Sequence, residues 1–279
     1  SEHAEDHNPE LPRQAWYYSG WYGSMGVAVS LDGGQSFRKL GPALMSAKPD
    51  LSALEGESTW GVAAPSVVLD RSGNHLFAYY GEHSPGSANR GVTIGMARAD
   101  ISTGGPVPGS WQKYYEGKFE ESGLGGRDTA ILEIEPRDEA ASLQPHVVLT
   151  TDLDREVMVL NVAWWRETFE ETELSRSGIY VAVSEDGIAW STPEPILIEH
   201  SLPAFGQPLA WQATIIWDES SSTEGWLVYA YSERWGPGYF LGTPHHMVGR
   251  RIEFELNFAK PSLAPSPQKG APVPPLSRG

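Results

Sequence analysis

Residues 177–197, SGIYVAVSEDGIAWSTPEPIL, constrain the fold more than any other stretch, because the chain repeats their design. A strand pattern leads in, with Ile179, Val181 and Val183 alternating against Tyr180, Ala182 and Ser184. A turn at Glu185-Asp186-Gly187 follows, and the chain leaves through Trp190. In such a turn an aspartate can accept backbone hydrogen bonds, and a glycine takes a positive φ at no steric cost. Trp190 supplies a large apolar plug beneath it. Residues 25–44, MGVAVSLDGGQSFRKLGPAL, repeat the design with Ser30, Asp32, Gly34, Ser36 and Phe37 in the matching places. A looser copy begins at Gly91 and carries Asp100 and Trp111. Three copies of one strand-turn-strand module predict a repeat architecture.

Between the copies the chain reads as short strands joined by turns. Residues 64–69 and 75–80 flank Asp70-Arg71-Ser72-Gly73-Asn74, a hairpin signal. Residues 145–149 with 157–163, and 211–217 with 225–232, repeat that order, and 247–254 adds a strand. Strands are also expected at 15–19, whereas 1–14 reads as polar and irregular, including His3, Asp6 and His7. Residues 111–128 are expected to cross one face irregularly to the next unit. No stretch longer than a turn or two has helical periodicity. The fold class expected is all-β: a β-propeller of four to five blades over 1–258, with a Pro- and Ser-rich tail at 259–279.

Composition narrows the partners. Net charge is −16, which argues against nucleic acid and against an anionic membrane surface. Without cysteine there is no disulfide framework and no thiolate chemistry. No apolar run reaches the length of a membrane span. The oligomeric state is left open.

A four-stranded blade runs from channel to rim, so it sorts its loops between two faces. The turns holding Asp32, Asp100 and Asp186 join third to fourth strands and face away from the channel mouth, where they are structural. The mouth collects carboxylates and aromatic rings. Glu82, Asp128 and Glu57 are the candidate catalytic residues. Trp60, Ser66, Arg127, Gln144, His146, Trp165, Gln212 and Trp235 are the candidate substrate-binding residues. Ring faces stack on the apolar side of a sugar while charged and amide groups bind its hydroxyls. Tyr80-Gly81-Glu82 and Tyr231-Ser232-Glu233 close two second strands alike, which would aim acids at the mouth from two blades. No cofactor and no catalytic metal are expected; His3, Asp6 and His7 could form a metal cluster but read as a polar terminus, and a structural ion at the channel centre would sit beside His146.

Residues 59–80, TWGVAAPSVVLDRSGNHLFAYY, together with 180–197, resemble the five-bladed propeller glycoside hydrolases of the family 43 type and their relatives. WQKYYEGKFEESGLGG, QPHVVLTTDLDREVMVLNVAWW and HMVGRRIEF are similar to stretches of secreted proteins near those enzymes, so the resemblance spans most of 15–256. It implies hydrolysis of a glycosidic bond by a carboxylic acid and a carboxylate at inner-strand entrances, with a carbohydrate as partner, in a secreted or periplasmic setting. The chain departs from the pattern at those entrances, which read Ala64-Pro65-Ser66, Gln144-Pro145-His146 and Gln212-Ala213-Thr214, with only Asp6 available ahead of the first blade. That departure supports an alternative, a carbohydrate-binding propeller that has lost its acid/base pair. A sialidase-like enzyme would need an arginine cluster, and the arginines here are scattered. A propeller that binds only other proteins is disfavoured by the polar-aromatic loops.

Overall fold

In the computed structural model, the described residues are 2–3, 22–46, 60–83, 93–102, 105–133, 140–150, 155–164, 178–197, 209–219, 221, 223–232 and 245–254. They form fifteen strands and no helix. The first group is β1 (Glu2–His3), β2 (Tyr22–Val29) and β3 (Arg38–Met45). Next come β4 (Trp60–Leu69), β5 (His75–His83), β6 (Thr93–Asp100), β7 (Trp111–Tyr115) and β8 (Lys118–Ser122). A third group holds β9 (Ala140–Thr150), β10 (Arg155–Trp164), β11 (Gly178–Ser184) and β12 (Glu194–Leu197). The last is β13 (Leu209–Trp217), β14 (Glu224–Ser232) and β15 (His245–Glu253).

Each of the last three groups is an antiparallel meander that begins with its innermost strand. The inner strands β4, β9 and β13 lie side by side. Ser66 on β4 accepts the Val147 N–H of β9 at 2.9 Å, and Thr214 on β13 meets His146 Nδ1 at 3.4 Å. These contacts join three sheets through their first strands, an arrangement that fits the blades of a propeller. The β2–β3 hairpin precedes them, and β2 touches β4 in parallel through Tyr22–Gly23 and Trp60–Gly61.

Strand alternation explains why the sheets stack. Tyr79 turns to one side of β5, joining Ile94, Met96, Val147, Met158 and Tyr180 between the first and second meanders. Its neighbour Tyr80 turns to the other side, with Leu44, Val62, Ala97 and Trp111 against the β2–β3 hairpin. Val157 and Val159 do the same on β10, meeting Ile215, Leu227 and Tyr229 of the third meander. A sheet with a core on both faces needs near-continuous apolar strands, and β6 and β11 are buried along almost their whole length.

Three expectations need correction. Residues 111–122 are not an irregular crossing: β7 is the fourth strand of its meander, and a tight turn at Glu116-Gly117 adds β8. Glu2–His3 pair with Tyr22–Gly23, so the polar N-terminal segment is not wholly irregular. Trp226, which an aromatic-rich strand pattern predicts as core packing, is 46% exposed on β14, where Arg251 lies 6.0 Å from its ring. The expected strand at 15–19 and the tail at 259–279 lie outside the described residues.

The aspartates of the repeated turns do what the sequence predicts, but Phe37, matched to the Trp190 plug, is 65% exposed and plugs nothing. Asp186 accepts the Ile188 and Ala189 N–H groups at 2.9 and 2.7 Å, and Gly187 has φ 72°. Asp32 accepts Ser36 Oγ at 2.6 Å and the Ser36 N–H at 2.9 Å. Those bonds, the Ser36 side chain foremost, hold Asp32 down at about 2. Asp100 accepts the Ser102 N–H and Oγ at 2.8 and 2.6 Å. All three carboxylates are occupied by their own turns.

Candidate functional site

The register settles which loops share a face. Glu82, at the end of β5, sits opposite Val62 at the start of inner strand β4. Glu156, at the start of β10, sits opposite Ser184 beside the Asp186 turn. The first position is therefore on the mouth side and the second on the far side.

Glu82 lies on the same face of β5 as Tyr80 and is 3% exposed. Three elements besides β5 converge on it. Ser46, just past β3, donates a short hydrogen bond to Oε1. Lys113, on the inward face of β7 and 1% exposed, places Nζ 3.6 Å from Oε2. Asp128 arrives from the segment after β8, with Oδ2 3.3 Å from the same Nζ and 3.1 Å from the Tyr80 hydroxyl. The side chain of Asp128 is 18% exposed, so it is the member of the group that solvent reaches.

The glycine-rich sequence 122–128, SGLGGRD, explains how Asp128 gets there. Gly123 passes so close to β3 and β7 that a Cβ would stand 2.7 Å from the Ala43 oxygen and 2.9 Å from Trp111 Cβ. Its N–H bonds the Trp111 oxygen, and its own oxygen accepts the Met45 N–H. A side chain there would lift the segment off the sheet and carry Asp128 away.

Burial pushes Glu82 up, and the negative charge of Asp128 pushes it further; Lys113 and Ser46 pull the other way. The net result is about 8 against an ordinary 4.5. Glu82 thus keeps its proton at neutral pH. Its Oε2, otherwise without a hydrogen-bond partner, then becomes a donor toward Asp128. Tyr80 is driven up by burial and by Asp128 and Glu82, so its hydroxyl stays a donor to Asp128.

Of the three residues read as catalytic, two meet and the third, Glu57, lies outside the described residues. Arg127, read as a hydroxyl binder, uses its guanidinium on Glu121 Oε1 at 2.6 Å and on the Tyr115 hydroxyl at 3.2 Å. Ser66, His146 and Thr214 cluster on the inner strands. Burial lowers His146, which favours its neutral ring. Gln212 is exposed on β13, and Gln144 is half-buried on β9. Gln212 and Ala64 occupy matching bulges of two inner strands in left-handed backbone, with φ 51° and 48°. Trp60 begins β4, while Trp165 and Trp235 lie outside the described residues. Among the described residues no three His, Asp or Glu side chains gather as metal ligands, and the Thr214–His146 pair is a poor donor set for an ion. A cleft of about 450 Å³ between β2 and β4, lined by Met25, Val27, Val62 and Trp111, has no titratable side chain.

A second buried acid was not read from the sequence. Glu156 is 6% exposed and accepts the Tyr79 hydroxyl at 2.8 Å. The same hydroxyl reaches the Gly187 oxygen at 3.1 Å, and Trp190 meets the Tyr79 ring edge-on at 5.8 Å. Burial raises Glu156, with Tyr79 and Arg71 opposing. The signal was present in Phe77-Ala78-Tyr79-Tyr80, where alternation sends the two tyrosines to opposite faces.

The sequence matches no known protein-family profile and no curated protein. Solved structures are similar to it at low identity. An N-acetylgalactosamine deacetylase from F. plautii is 13% identical with TM-score 0.41, over 74% of this chain and 46% of that one. The glycoside hydrolase family 43 protein YxiA from Bacillus licheniformis is 14% identical with TM-score 0.46, over 82% and 50%. An endo-1,5-alpha-L-arabinanase from Thermotoga petrophila is 13% identical with TM-score 0.47, over 82% and 49%. The chain spans about half the length of these structures.

Proposed function

We propose that the protein is a glycoside hydrolase acting on a neutral poly- or oligosaccharide, with the Glu82–Asp128 pair as the source of the catalytic proton. The observation that carries this reading is a buried carboxyl that shares the Lys113 ammonium with a carboxylate that solvent reaches, on the mouth side of the sheet, where burial and the neighbouring charge favour its protonated form. General acid catalysis of glycoside cleavage needs a proton kept available near neutrality. Asp128, the accessible member, faces the leaving-group oxygen; Glu82 holds the shared proton behind it. The carboxylate that attacks, or activates water, on the other side of the sugar is a separate group, for which Glu57 is the candidate. The excess of negative charge disfavours anionic polymers as substrates. A secreted or periplasmic location, degradation of external polysaccharide, and a catalytic unit confined to 1–258 belong to the same proposal.

The test is hydrolysis of aryl furanosides, aryl pyranosides and a polysaccharide panel by the full chain. Product formation that is lost in E82Q and in D128N supports the reading; product formation equal in all three proteins overturns the assignment of the pair.

One observation favours a second reading. The three inner strands present Ser66, His146 and Thr214 where carboxylates would serve catalysis. A sugar-binding protein without turnover would show a ligand-induced rise in Tm and no product from any substrate.

A further inference from the structure

We propose that Lys113 is a positioning residue that fixes the proton count of the Glu82–Asp128 pair at one; this rests on the reading of that pair as the acid of a glycosidase. Lysine is almost never fully buried unless its charge is matched. Here Nζ is held between two carboxyl groups, 3.3 Å from Asp128 and 3.6 Å from Glu82, and 5.7 Å from the centre of the Tyr80 ring.

The charge balance gives the reason. With one proton on the pair, one carboxylate and one ammonium leave the buried cluster neutral. Loss of that proton buries a net negative charge, and gain of a second leaves the ammonium unmatched. Both cost desolvation energy, so the one-proton state is favoured over a wide pH range. The groups facing Lys113 are few. Glu82 and Tyr80 come from β5, and Asp128 from the segment after β8. Glu121 on β8 feels the ammonium as well, but its carboxylate is taken by Arg127. Ser46 bonds Glu82 from the end of β3 without charge. Lys113 is thus placed to act on Glu82 and Asp128 together, through charge and not through contact with a substrate.

The experiment compares the full-length protein with K113M and K113R. Glutamate side-chain carboxyls are labelled with carbon-13, and the Glu82 signal is assigned by its absence from E82Q. Its titration is followed by NMR, and the pH profile of kcat/KM is recorded on any aryl glycoside the protein cleaves. K113M is expected to move the Glu82 midpoint up by about one pH unit or more, with the alkaline limb of the profile moving alongside, and K113R to restore both. A folded K113M with an unmoved Glu82 midpoint overturns the proposal and leaves Lys113 a structural anchor. Should K113M fail to fold, the nitrogen-15 signal of the Lys113 ammonium in the unaltered protein decides. A step at the Glu82 midpoint supports the shared balance, and a flat trace over roughly pH 6 to 10 overturns it. The NMR readings need no turnover. A shifted midpoint in a protein that cleaves nothing would keep the role of Lys113 and remove the glycosidase reading.

Discussion

Glu82 and Glu156 make a natural pair for comparison. Both stand on the second strand of a meander, both are buried, and burial raises both above the ordinary glutamate value. They differ in what meets them. Glu156 is capped by a tyrosine hydroxyl that also holds the Gly187 oxygen, so it ties the Asp186 turn to the neighbouring sheet. Glu82 meets a carboxylate, an ammonium and a serine, and its carboxylate partner opens to solvent. Burial alone makes a weak acid. An ammonium shared with a carboxylate that solvent reaches makes that acid useful, whereas a hydroxyl as hydrogen-bond partner, with Arg71 and Asp186 acting only through their charge, turns it into a joint between blades.

The largest effect that could break this contrast is on turnover. E82Q is expected to lower kcat by roughly 10²–10⁴-fold with the fold intact, while E156Q leaves kcat close to wild type. Stability against pH gives a second test of Glu82. An acid whose folded value is raised holds its proton in the native state after the unfolded chain has released it, so its contribution is complete below 4.5 and is lost as pH rises. For Glu82 that window runs from 4.5 to about 8. Thermal melts of E82Q should fall less steeply than wild type across it, and above pH 8 E82Q should be the more stable protein.

Next in size is the joint. In Gly187→Ala, the new methyl would lie 2.5 Å from both Glu156 Oε2 and the Tyr79 hydroxyl, in a backbone with φ 72°. A loss of about 3 kcal/mol is expected in chemical denaturation. Gly73→Ala is the control, because its φ is the same and nothing lies within 4 Å; about 1 kcal/mol is expected. Tyr79→Phe removes the hydroxyl alone and leaves Glu156 without its donor, at a cost of about 1–2 kcal/mol with activity retained. The smallest effect concerns the inner-strand bulge. Ala64→Gly relieves a left-handed alanine and should raise stability by about 0.5–1 kcal/mol.

Much of the fold was legible because its signals are local. Asp32, Asp100 and Asp186 fill their own turns, and a turn's chemistry is written within a few residues. Alternation marked the inner strands, and it also contained the opposite facing of Tyr79 and Tyr80, although in an aromatic strand Tyr79 reads simply as core packing. The hairpin of β7 and β8 was less visible, because Lys113 interrupts an apolar strand and its burial depends on Glu82 and Asp128, which are distant in sequence. Glu82 and Asp128 were each legible as acids near the mouth. That they share a lysine was not, since the contact depends on Gly123 passing flat between β3 and β7. Glu156 escaped for the same reason: its partner is on another sheet, and an acid opening a strand looks solvated until the neighbouring sheet is in place.

The most direct test of the central claim sets wild type, E82Q and E156Q side by side on whichever glycoside the wild-type chain cleaves, at pH 7. Hydrolysis by wild type and E156Q with none by E82Q is the predicted result. Equal hydrolysis by E82Q, or loss confined to E156Q, would contradict it and move the chemistry away from the Glu82–Asp128 pair.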